Sequence, residues 1–328
     1  MSNKNGSLNK AKEAKQDEFY TQLTDIEKEL HHYKDHFRDK VVFCNCDDPE
    51  YSNFWHFFAV RFNLYGLKKL IATHYDPENA SYMLSMERVG NETPTVIKHL
   101  EGHGDFRSPE CVALLQEADI VVTNPPFSLF REYVAQLMEY GKQFLILGNQ
   151  NCITYKEVFP LLRNDKMWIG YHCGDMTFSV PDYYEERSTR FWIDENGRKW
   201  RSMGNICWYT NMDIKKRHED IKLFAHYDPD KYPRYENYDA IEVGKVVDIP
   251  CDYDGVMGVP ITFMDKYNPA QFEILWTTDR GGDGMIEHLK KVHDRYDAPV
   301  VNGQGKYKRI LIRRRCSPAA EPQEVRHG

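Results

Sequence analysis

The chain has 328 residues, 41% of them hydrophobic and 13% aromatic, which is enough for one large domain or a core domain with a smaller lobe. Its net charge of −7 gives no global indication of nucleic-acid binding, so any DNA contact must rest on local basic patches. No apolar run reaches the roughly 18 residues of a membrane helix, and the polar N-terminus is not a secretory signal. Eight cysteines without a Cys-x-x-Cys pair favour reduced buried thiols in a cytoplasmic protein and predict no metal site.

The chain begins with a basic arm, followed by a helix. Residues 1–16 are rich in lysine and poor in apolar side chains, which predicts a flexible arm; a solvated tail and a DNA contact are both open as its role. Apolar residues recur at spacings of three and four from Leu23 to Phe37, which predicts an amphipathic helix. Thr24 and Glu27 are spaced to form a capping box at its start.

Two units of strand and turn follow, in the order found in nucleotide-binding sheets. Val41–Cys44 predicts a short buried strand, and the polar turn 45–49 leads from it into an aromatic helix. This unit lacks a glycine-rich loop, so by itself it indicates a nucleotide site only weakly. Leu70–Tyr75 predicts a second strand that ends at Asp76. A carboxylate there is able to bind ribose hydroxyls, and a turn before Pro77 explains it equally well.

The next stretch combines a predicted loop, a short strand and a carboxylate beside a glycine. Residues 77–94 are predicted to be a loop insertion, and Thr95–Ile97 a short strand. Asp105 follows Gly104, and a flexible glycine lets a carboxylate approach a ligand closely; a capped turn is the alternative. The Ser-Pro pair at 108–109 predicts the N-cap and first turn of a helix.

The most informative stretch is a strand that ends in two prolines. Ile120–Thr123 predicts a buried strand, and it must stop at Asn124-Pro125-Pro126-Phe127 because proline lacks the N–H that a central strand needs. The turn is therefore held at the carboxyl edge of the sheet, where open α/β sheets bind ligands. The Asn124 side-chain oxygen and the Pro125 carbonyl can both accept from one NH2 group, while Phe127 offers a stacking face. The turn predicts methyl transfer to the amine of a flat ring; an ordinary strand-to-helix turn is the alternative.

The order of strands and helices predicts the fold class. Strands alternate with helices over residues 41–150, which favours an α/β fold with a mostly parallel, doubly wound sheet and helices on both faces. Further strand patterns at 167–169, 177–180 and 206–210 have no helices between them. The sheet is therefore predicted to finish with an antiparallel strand.

A basic and aromatic hairpin is predicted between these last strands. Residues 191–193 and 198–201 flank Asn196-Gly197, a pair typical of two-residue hairpin turns. Lys199 and Arg201 are candidates for DNA contacts, and a plain surface ribbon is an equally good interpretation.

The composition changes at residue 213, which predicts a second, smaller lobe over residues 213–315. This part is charged and rich in tyrosine. It ends in Lys306–Arg315, where apolar and basic residues alternate as in a half-exposed strand with one cationic face. Residues 316–328 are predicted to be a disordered tail.

Together these segments resemble the EcoRI-type adenine-specific DNA methyltransferases over most of residues 10–315. The resemblance rests on Asp17–Gln22, Cys44–Pro49, Ser52–Phe54, Gly104–Ser108, Thr123–Ser128, Arg131–Tyr133 and Ile153–Lys156. It implies a class I methyltransferase fold, with residues 17–212 as the catalytic domain and the lobe as the DNA-recognition part. It also implies S-adenosylmethionine as methyl donor and adenine N6 in double-stranded DNA as acceptor, in restriction-modification or as an orphan or phage enzyme.

The resemblance also implies roles for individual residues. The target-adenine pocket is matched by Asn124, Pro125, Pro126 and Phe127. The cofactor segments are matched by Phe19, Tyr20, Thr21, Asn45, Asp47, Pro49, Asp105 and Phe106, to which the carboxylate of Asp76 is added. No metal is expected, because the methyl group is already activated on a sulfonium. The protein is expected to be a monomer in the cytoplasm of a bacterial or phage-infected cell.

Two alternatives accompany this prediction. The Asn-Pro-Pro-Phe motif also occurs in methyltransferases that act on RNA adenine or on protein glutamine, although the other matching segments favour DNA. The second alternative is a catalytically silent DNA-binding relative, against which the intact Asn124, Pro125 and Phe127 argue.

Overall fold

The computed structural model describes residues 19–46, 48–76, 79, 81–90, 92–278 and 298–315. The predicted basic arm, the predicted disordered tail and Asp47 therefore lie outside the described residues. Contacts divide the chain into two compact units. The first comprises residues up to 158 together with 167–214, and the second comprises 159–166 together with the part that follows residue 214.

A ten-stranded sheet forms the frame of the first unit. Its strands are β1 (Tyr20–Thr21), β2 (Val41–Cys44), β3 (Lys69–Thr73), β4 (Tyr82–Glu87), β5 (Thr95–His99), β6 (Ile120–Thr123), β7 (Gln143–Asn149), β8 (Trp168–Val180), β9 (Phe191–Ile193) and β10 (Lys199–Thr210). The spatial order is β1-β8-β10-β7-β6-β2-β3-β4-β5, and β9 pairs with β10.

The four central strands are parallel, and the strands at both edges are antiparallel. β2 lies between β3 and β6, and β6 pairs with β7, all in parallel. β4 and β5 extend the sheet beyond β3, while β10, β8 and β1 extend it beyond β7, all antiparallel. The sheet is thus mixed, and the prediction of a mostly parallel sheet was wrong in this respect. One cause is the stretch 77–94, which was predicted to be a loop but contains β4.

Helices cover both faces of this sheet. They are α1 (Leu23–Leu30), α2 (Asn53–Val60), α3 (Phe62–Tyr65), α4 (Pro109–Glu117) and α5 (Phe130–Glu139). The main core cluster joins α1 and α2 to every second residue of β2, namely Val42 and Cys44. The alternate residues Val41 and Phe43 are buried as well, so the other face is also covered. Phe130 on α5 packs on that face, with its ring centroid 5.2 Å from that of Tyr209.

The first predicted helix differs from the prediction at both ends. α1 begins directly after Gln22, which makes no side-chain cap, so the predicted capping box does not form. Thr21 is held in β1 by its pairing with Phe178, which fixes where the chain turns into the helix. After Leu30 the chain continues as a 3₁₀ helix, His31–Phe37.

Two strands are longer than predicted. β8 and β10 each join two predicted segments into one strand, with shifts of register after Met203 and Cys207. Since Ile206 pairs with Asn149 at the end of β7, residues 199–205 extend beyond the carboxyl end of β7. We use the name overhang for three segments: residues 199–205 of β10, residues 174–180 of β8, which pair with them, and β9.

The second unit contains a four-stranded sheet in the order β11-β12-β16-β13 and a two-stranded one. The strands are β11 (Ile241–Glu242), β12 (Met257–Pro260), β13 (Phe272–Thr277), β14 (Val300–Val301), β15 (Gln304–Gly305) and β16 (Arg309–Arg314), and the helix is α6 (Phe159–Arg163). The predicted terminal strand is present as β16. Its cationic face is not free, because Arg309 pairs with Glu242 at 2.6 Å and Arg313 with Glu273 at 2.9 Å.

Two further expectations concern cysteines and membranes. Cys173 and Cys207 face each other on β8 and β10 and are joined in a disulfide, whereas the sequence favoured reduced thiols throughout. Five other cysteines of the described part are not in disulfides. Within the same part, no helix is long and apolar enough to cross a membrane.

Candidate active site

The Asn-Pro-Pro-Phe turn lies at the carboxyl edge of the parallel strands, as predicted. All four residues of β6 are buried, and the strand pairs with β2 on one side and β7 on the other. Asn124 and Pro125 are buried, Pro126 is half-buried, and Phe127 begins a short 3₁₀ helix that leads into α5. The two prolines thus end a central strand and hold the side chains of the turn at its tip.

The two polar atoms of the Asn124 side chain have different surroundings. Nδ2 donates to the backbone carbonyl of Phe19 at 2.6 Å. Oδ1 is buried and accepts no hydrogen bond from any residue that the structure describes. We call Oδ1 of Asn124 the open acceptor. Buried polar atoms are nearly always paired, so an open acceptor in a ligand-binding position indicates a donor on the ligand.

Phe127 stands beside this acceptor with its ring supported from one side. The ring stacks on that of Phe19, with centroids 5.4 Å apart and planes 23° apart. Phe127 is half-buried, so part of the ring surface remains accessible. This arrangement is suited to hold a flat aromatic ligand next to the open acceptor.

The segment Phe19–Thr21 is anchored beside the turn. Tyr20 and Thr21 pair with the overhang as β1, and Asn53 Nδ2 donates to the Thr21 carbonyl at 2.7 Å. The Tyr20 ring is half-buried near that of Tyr51, with centroids 6.4 Å apart. The hydroxyl of Thr21 is buried and has no partner within the described ranges.

Asn45 holds the carboxyl ends of β2 and β6 together. Its backbone carbonyl accepts from the Thr123 hydroxyl, and its side-chain oxygen accepts from the Tyr133 hydroxyl. Burial raises the pKa of Tyr133 well above its ordinary value, so this hydroxyl stays protonated and remains a donor. Asn45 is therefore buried and tied into the edge, with its side-chain oxygen already engaged.

The loop after Asn45 contains a carboxylate that the sequence analysis did not single out. Asp48 accepts from the Tyr82 hydroxyl at 2.9 Å and lies 3.5 Å from Nε2 of His74. Tyr82 belongs to β4, in the stretch predicted to be a loop, so no local signal connected it with Asp48. Pro49, the residue after Asp48, is buried.

Asp76 and Asp105 lie in neighbouring turns at this edge. The Asp76 backbone N–H donates to the His103 carbonyl at 3.0 Å, and its carboxylate accepts from Asn79. A Cβ at Gly104 would lie 1.8 Å from the His74 carbonyl, so the close approach of the two turns requires glycine there.

Both oxygens of the Asp105 carboxylate accept hydrogen bonds from Arg107. Oδ1 accepts from the backbone N–H and Nε of Arg107 at 2.8 and 2.9 Å, and Oδ2 accepts from Nη2 at 2.8 Å. These hydrogen bonds hold the pKa of Asp105 below its ordinary value. Phe106 is buried, with its ring 5.0 Å from that of Tyr133. The sequence interpretation missed Arg107, although its position two residues after Asp105 was a signal.

The predicted hairpin is present, with a longer turn than expected. β9 and β10 pair antiparallel, and Asp194 N–H donates to the Arg198 carbonyl across the turn. Gly197 alone of the turn residues has a positive φ, of 78°, which fits a three-residue loop with a bulge rather than a two-residue turn.

The two candidate DNA-binding cations of the hairpin donate to nearby carbonyls. Lys199 Nζ donates to the Asp182 and Tyr184 carbonyls at 2.6 and 3.0 Å, and Arg201 Nη1 donates to the Arg190 carbonyl at 3.2 Å. Arg201 also lines a cleft of about 450 Å³ with Asn149, Arg190 and residues 202–205. The structure thus gives both side chains a role in holding the segment 182–190, alongside any contact with DNA.

Three possible metal ligands are close together in the second unit. Nδ1 of His226 lies 2.9 Å from Oδ2 of Asp252 and 3.7 Å from Sγ of Cys251. The sequence analysis did not single out this group. His226 and Asp252 are exposed and already form a hydrogen bond with each other, which accounts for their proximity without a metal.

The fold and the turn define a class of enzyme. A mixed α/β sheet that presents an asparagine acceptor and a stacking phenylalanine at its carboxyl edge is suited to methylate an amine on a flat ring. The family model described as adenine-specific methyltransferase EcoRI matches residues 7–315. The chain belongs to this family and is a site-specific DNA adenine methyltransferase.

Individual relatives agree with this assignment. The chain is 48% identical to the Type II methyltransferase M.EcoRI of Escherichia coli, over 94% of this chain and 96% of that protein. It is 39% identical to the Type II methyltransferase M.MpnI of Mycoplasma pneumoniae, over 94% of this chain and 98% of that protein.

Proposed function

We propose that the chain transfers a methyl group from S-adenosylmethionine to N6 of an adenine that has been flipped out of double-stranded DNA. The observation that supports this most strongly is the open acceptor at the tip of β6. Leaving a buried acceptor unpaired costs about 1–3 kcal/mol, so its presence favours a donor that arrives with the substrate. The exocyclic amine of adenine is such a donor, and stacking inside the duplex would block its methylation.

The residues of the turn divide the work at the target base. Asn124 and the carbonyl of Pro125 accept from the two hydrogens of the amine, which directs its lone pair outwards. Pro126 keeps the turn rigid, and Phe127 stacks on the base. S-adenosylmethionine, when bound, supplies an electrophilic methyl group on a sulfonium, so no metal is needed.

The cofactor is assigned to the same edge of the sheet. Thr21 supports this, because its hydroxyl is buried without a partner in the described part of the chain and is available to a polar ligand. The proposed cofactor-binding residues are Phe19, Tyr20, Thr21, Asn45, Asp47, Pro49, Asp76, Asp105 and Phe106. The central parallel strands with helices on both faces are consistent with the class I methyltransferase fold.

DNA is proposed to contact the hairpin and the C-terminal lobe. Lys199 and Arg201 supply positive charge on the overhang, and residues 213–315 are proposed to read the target sequence. The enzyme is proposed to act as a cytoplasmic monomer, in restriction-modification or as an orphan or phage enzyme.

Methyl transfer from radiolabelled S-adenosylmethionine tests the proposal directly. We expect label in double-stranded DNA and none in RNA or protein, and modification-sensitive sequencing of DNA from an expressing host should place N6-methyladenine at one sequence motif. The Asn124→Ala variant is the control for a contaminating activity. Label in RNA or protein, or no label in any substrate, would overturn the assignment.

A further inference from the structure

The orientation of the Asn124 amide is fixed by a residue far away in the sequence. The Phe19 carbonyl receives a hydrogen bond from Nδ2 at 2.6 Å. A carbonyl oxygen can only accept, so NH2 has to face Phe19 and Oδ1 has to face the other way. We propose that Phe19 is a positioning residue for methyl transfer, whose carbonyl holds the Asn124 amide so that the open acceptor meets the target amine. This inference rests on the proposed function and gives Phe19 a role in addition to the proposed contact with the cofactor.

The carbonyl is itself held in place from two sides. Tyr20 and Thr21, which follow it in the chain, pair with Ser179 and Phe178 of the overhang. The Thr21 carbonyl accepts from Asn53 Nδ2 at 2.7 Å, which ties the segment to the start of α2. A backbone anchored in this way is a rigid reference for a side chain, as a preorganised site requires.

The ring of Phe19 is already occupied by aromatic neighbours. It is only 7% exposed and stacks on Phe127 at 5.4 Å between centroids. The rings of Phe178 and Tyr184 lie 5.7 and 5.9 Å away at steep angles. Little of the ring remains for a cofactor, whereas its carbonyl and ring together reach both functional side chains of the turn.

Loss of this anchor should affect the chemical step. If the Phe19 carbonyl is displaced, the Asn124 side chain is free to rotate. A rotation that exchanges Nδ2 and Oδ1 would place the Asn124 NH2 group against the NH2 group of adenine. Misplacement by about 1 Å can cost up to 10²-fold in rate, and partial loosening should cost less, roughly tenfold. This loss of rate should remain at saturating S-adenosylmethionine, because it arises from the orientation of the Asn124 amide and not from cofactor binding.

The carbonyl can be observed directly in the full-length protein. Phe19-Tyr20 is the only Phe-Tyr pair in the sequence, so labelling Phe with 13C at the carbonyl and Tyr with 15N gives one correlated NMR signal. We expect Asn124→Ala to shift this carbonyl signal upfield, as loss of a hydrogen bond does. An unchanged signal would overturn the proposal. This measurement does not require activity, so it is independent of whether the wild type methylates DNA.

Single-turnover methylation then tests the consequence. Phe19→Gly, which loosens the backbone, and Asn53→Asp, which removes the donor to the Thr21 carbonyl, should each slow the step roughly tenfold at saturating cofactor. Asn63→Asp is the matched control, since the Asn63 side-chain oxygen accepts from Arg88 on the exposed surface and Asp keeps an acceptor there. The proposal would be overturned if Phe19→Gly and Asn53→Asp bound the cofactor more weakly but methylated at the wild-type rate at saturation. Unfolding curves identify a variant that fails to fold.

Discussion

Asn124 and Asp105 are both polar side chains at the carboxyl edge of the sheet, but they differ in their hydrogen bonds. Asp105 has both oxygens engaged by Arg107, two residues further along the chain. Asn124 has its donor paired with Phe19, while its oxygen accepts nothing from the described residues. The first arrangement is explained by the stability of a local turn. The second leaves a buried acceptor without a donor among the described residues, which costs stability and favours a donor supplied by a ligand.

These hydrogen-bond partners distinguish two residues that the sequence alone makes equally good candidates for ligand contact. Both were expected to contact a ligand, and both match segments of the same family. A carboxylate whose charge is matched by an arginine offers a ligand only its remaining lone pairs. An open acceptor offers its full hydrogen-bonding capacity. Asn124 is therefore the stronger assignment, and variants at these two turns should differ in kind as well as in size.

The largest effect is expected for Asn124→Ala. Removing one preorganised polar group costs roughly 10²–10³ in rate, so single-turnover methylation should fall by that factor. Base flipping should persist, because Phe127 remains in place, and 2-aminopurine fluorescence at the target position reports it independently of turnover. The catalytic assignment would be wrong if the variant retained full single-turnover methylation.

Phe127→Ala should act on flipping rather than on chemistry. Stacking on an aromatic side chain is worth about 1–3 kcal/mol per base, roughly a 5- to 150-fold change in the flipping equilibrium. Tyr or Trp at this position should restore part of the fluorescence signal, whereas Leu should restore less. Equal flipping in the wild type and the Ala variant would assign Phe127 to packing against Phe19 alone.

Asp105→Ala tests the weaker side of the comparison. If the carboxylate accepts from the cofactor amine, its loss should weaken S-adenosylmethionine binding by about 1.5–3 kcal/mol, measured by calorimetry, and leave DNA affinity unchanged. Arg107→Ala is the matched control, because it removes the two side-chain hydrogen bonds to the carboxylate and keeps the carboxylate itself. Unchanged cofactor affinity in a folded Asp105→Ala variant would confine Asp105 to its turn.

The pH dependence of stability gives a second measure of the Asp105–Arg107 pair. The pKa of Asp105 is lowered in the folded protein, chiefly by hydrogen bonds from Arg107. The pair therefore stabilises the fold above the unfolded-state pKa of about 3.9, and this contribution is lost as the pH falls through the lower folded-state pKa. The difference in stability between the wild type and Asp105→Asn should shrink below about pH 4. A difference that stays constant down to pH 2 would exclude this pairing in solution.

The parts of the fold that the sequence predicted well are governed by local chemistry. The stop at Pro125 and Pro126 follows from the missing N–H groups, and the helix after Ser108 follows from its capping hydroxyl, which accepts from Cys111 N–H. β4 was missed because its sequence shows no alternation of apolar and polar residues: the buried Met83 and Met86 are three residues apart, with Leu84 and Ser85 between them. β8 was divided because Gly174 has a φ of 140° within the strand, where a sequence pattern predicts a break.

The same distinction applies to the site. Asn124 and Phe127 were predictable because the turn itself carries the chemistry. The contact of Asn124 with Phe19 spans 105 residues and depends on a backbone carbonyl, which no side-chain pattern records. The predicted capping box at Thr24 failed for a related reason, since the pairing of Thr21 in the sheet decides where the helix begins.

Lys199 and Arg201 extend the comparison to charged groups, with the smallest expected effect. Like Asp105 they form hydrogen bonds, but their partners among the described residues are neutral carbonyls of the segment 182–190, which do not neutralise the positive charge. They remain able to displace counterions from DNA phosphates. Charge reversal at each should therefore reduce the slope of log affinity against log salt by about one.

The control for this experiment lies at the opposite edge of the sheet. Lys98 is exposed on β5, which lies outside the overhang. Lys98→Glu changes the net charge by the same amount as a single charge reversal at Lys199 or Arg201. We expect Lys98→Glu to leave the salt slope unaltered and Lys199→Glu with Arg201→Glu to lower it by about two, in titrations of a target duplex between low and moderate salt. Lys199→Gln separates loss of charge from repulsion and should lower the slope by about one. If the hairpin variants lower thermal stability but keep the wild-type slope, these cations serve only to hold the segment 182–190, and the DNA contacts lie elsewhere.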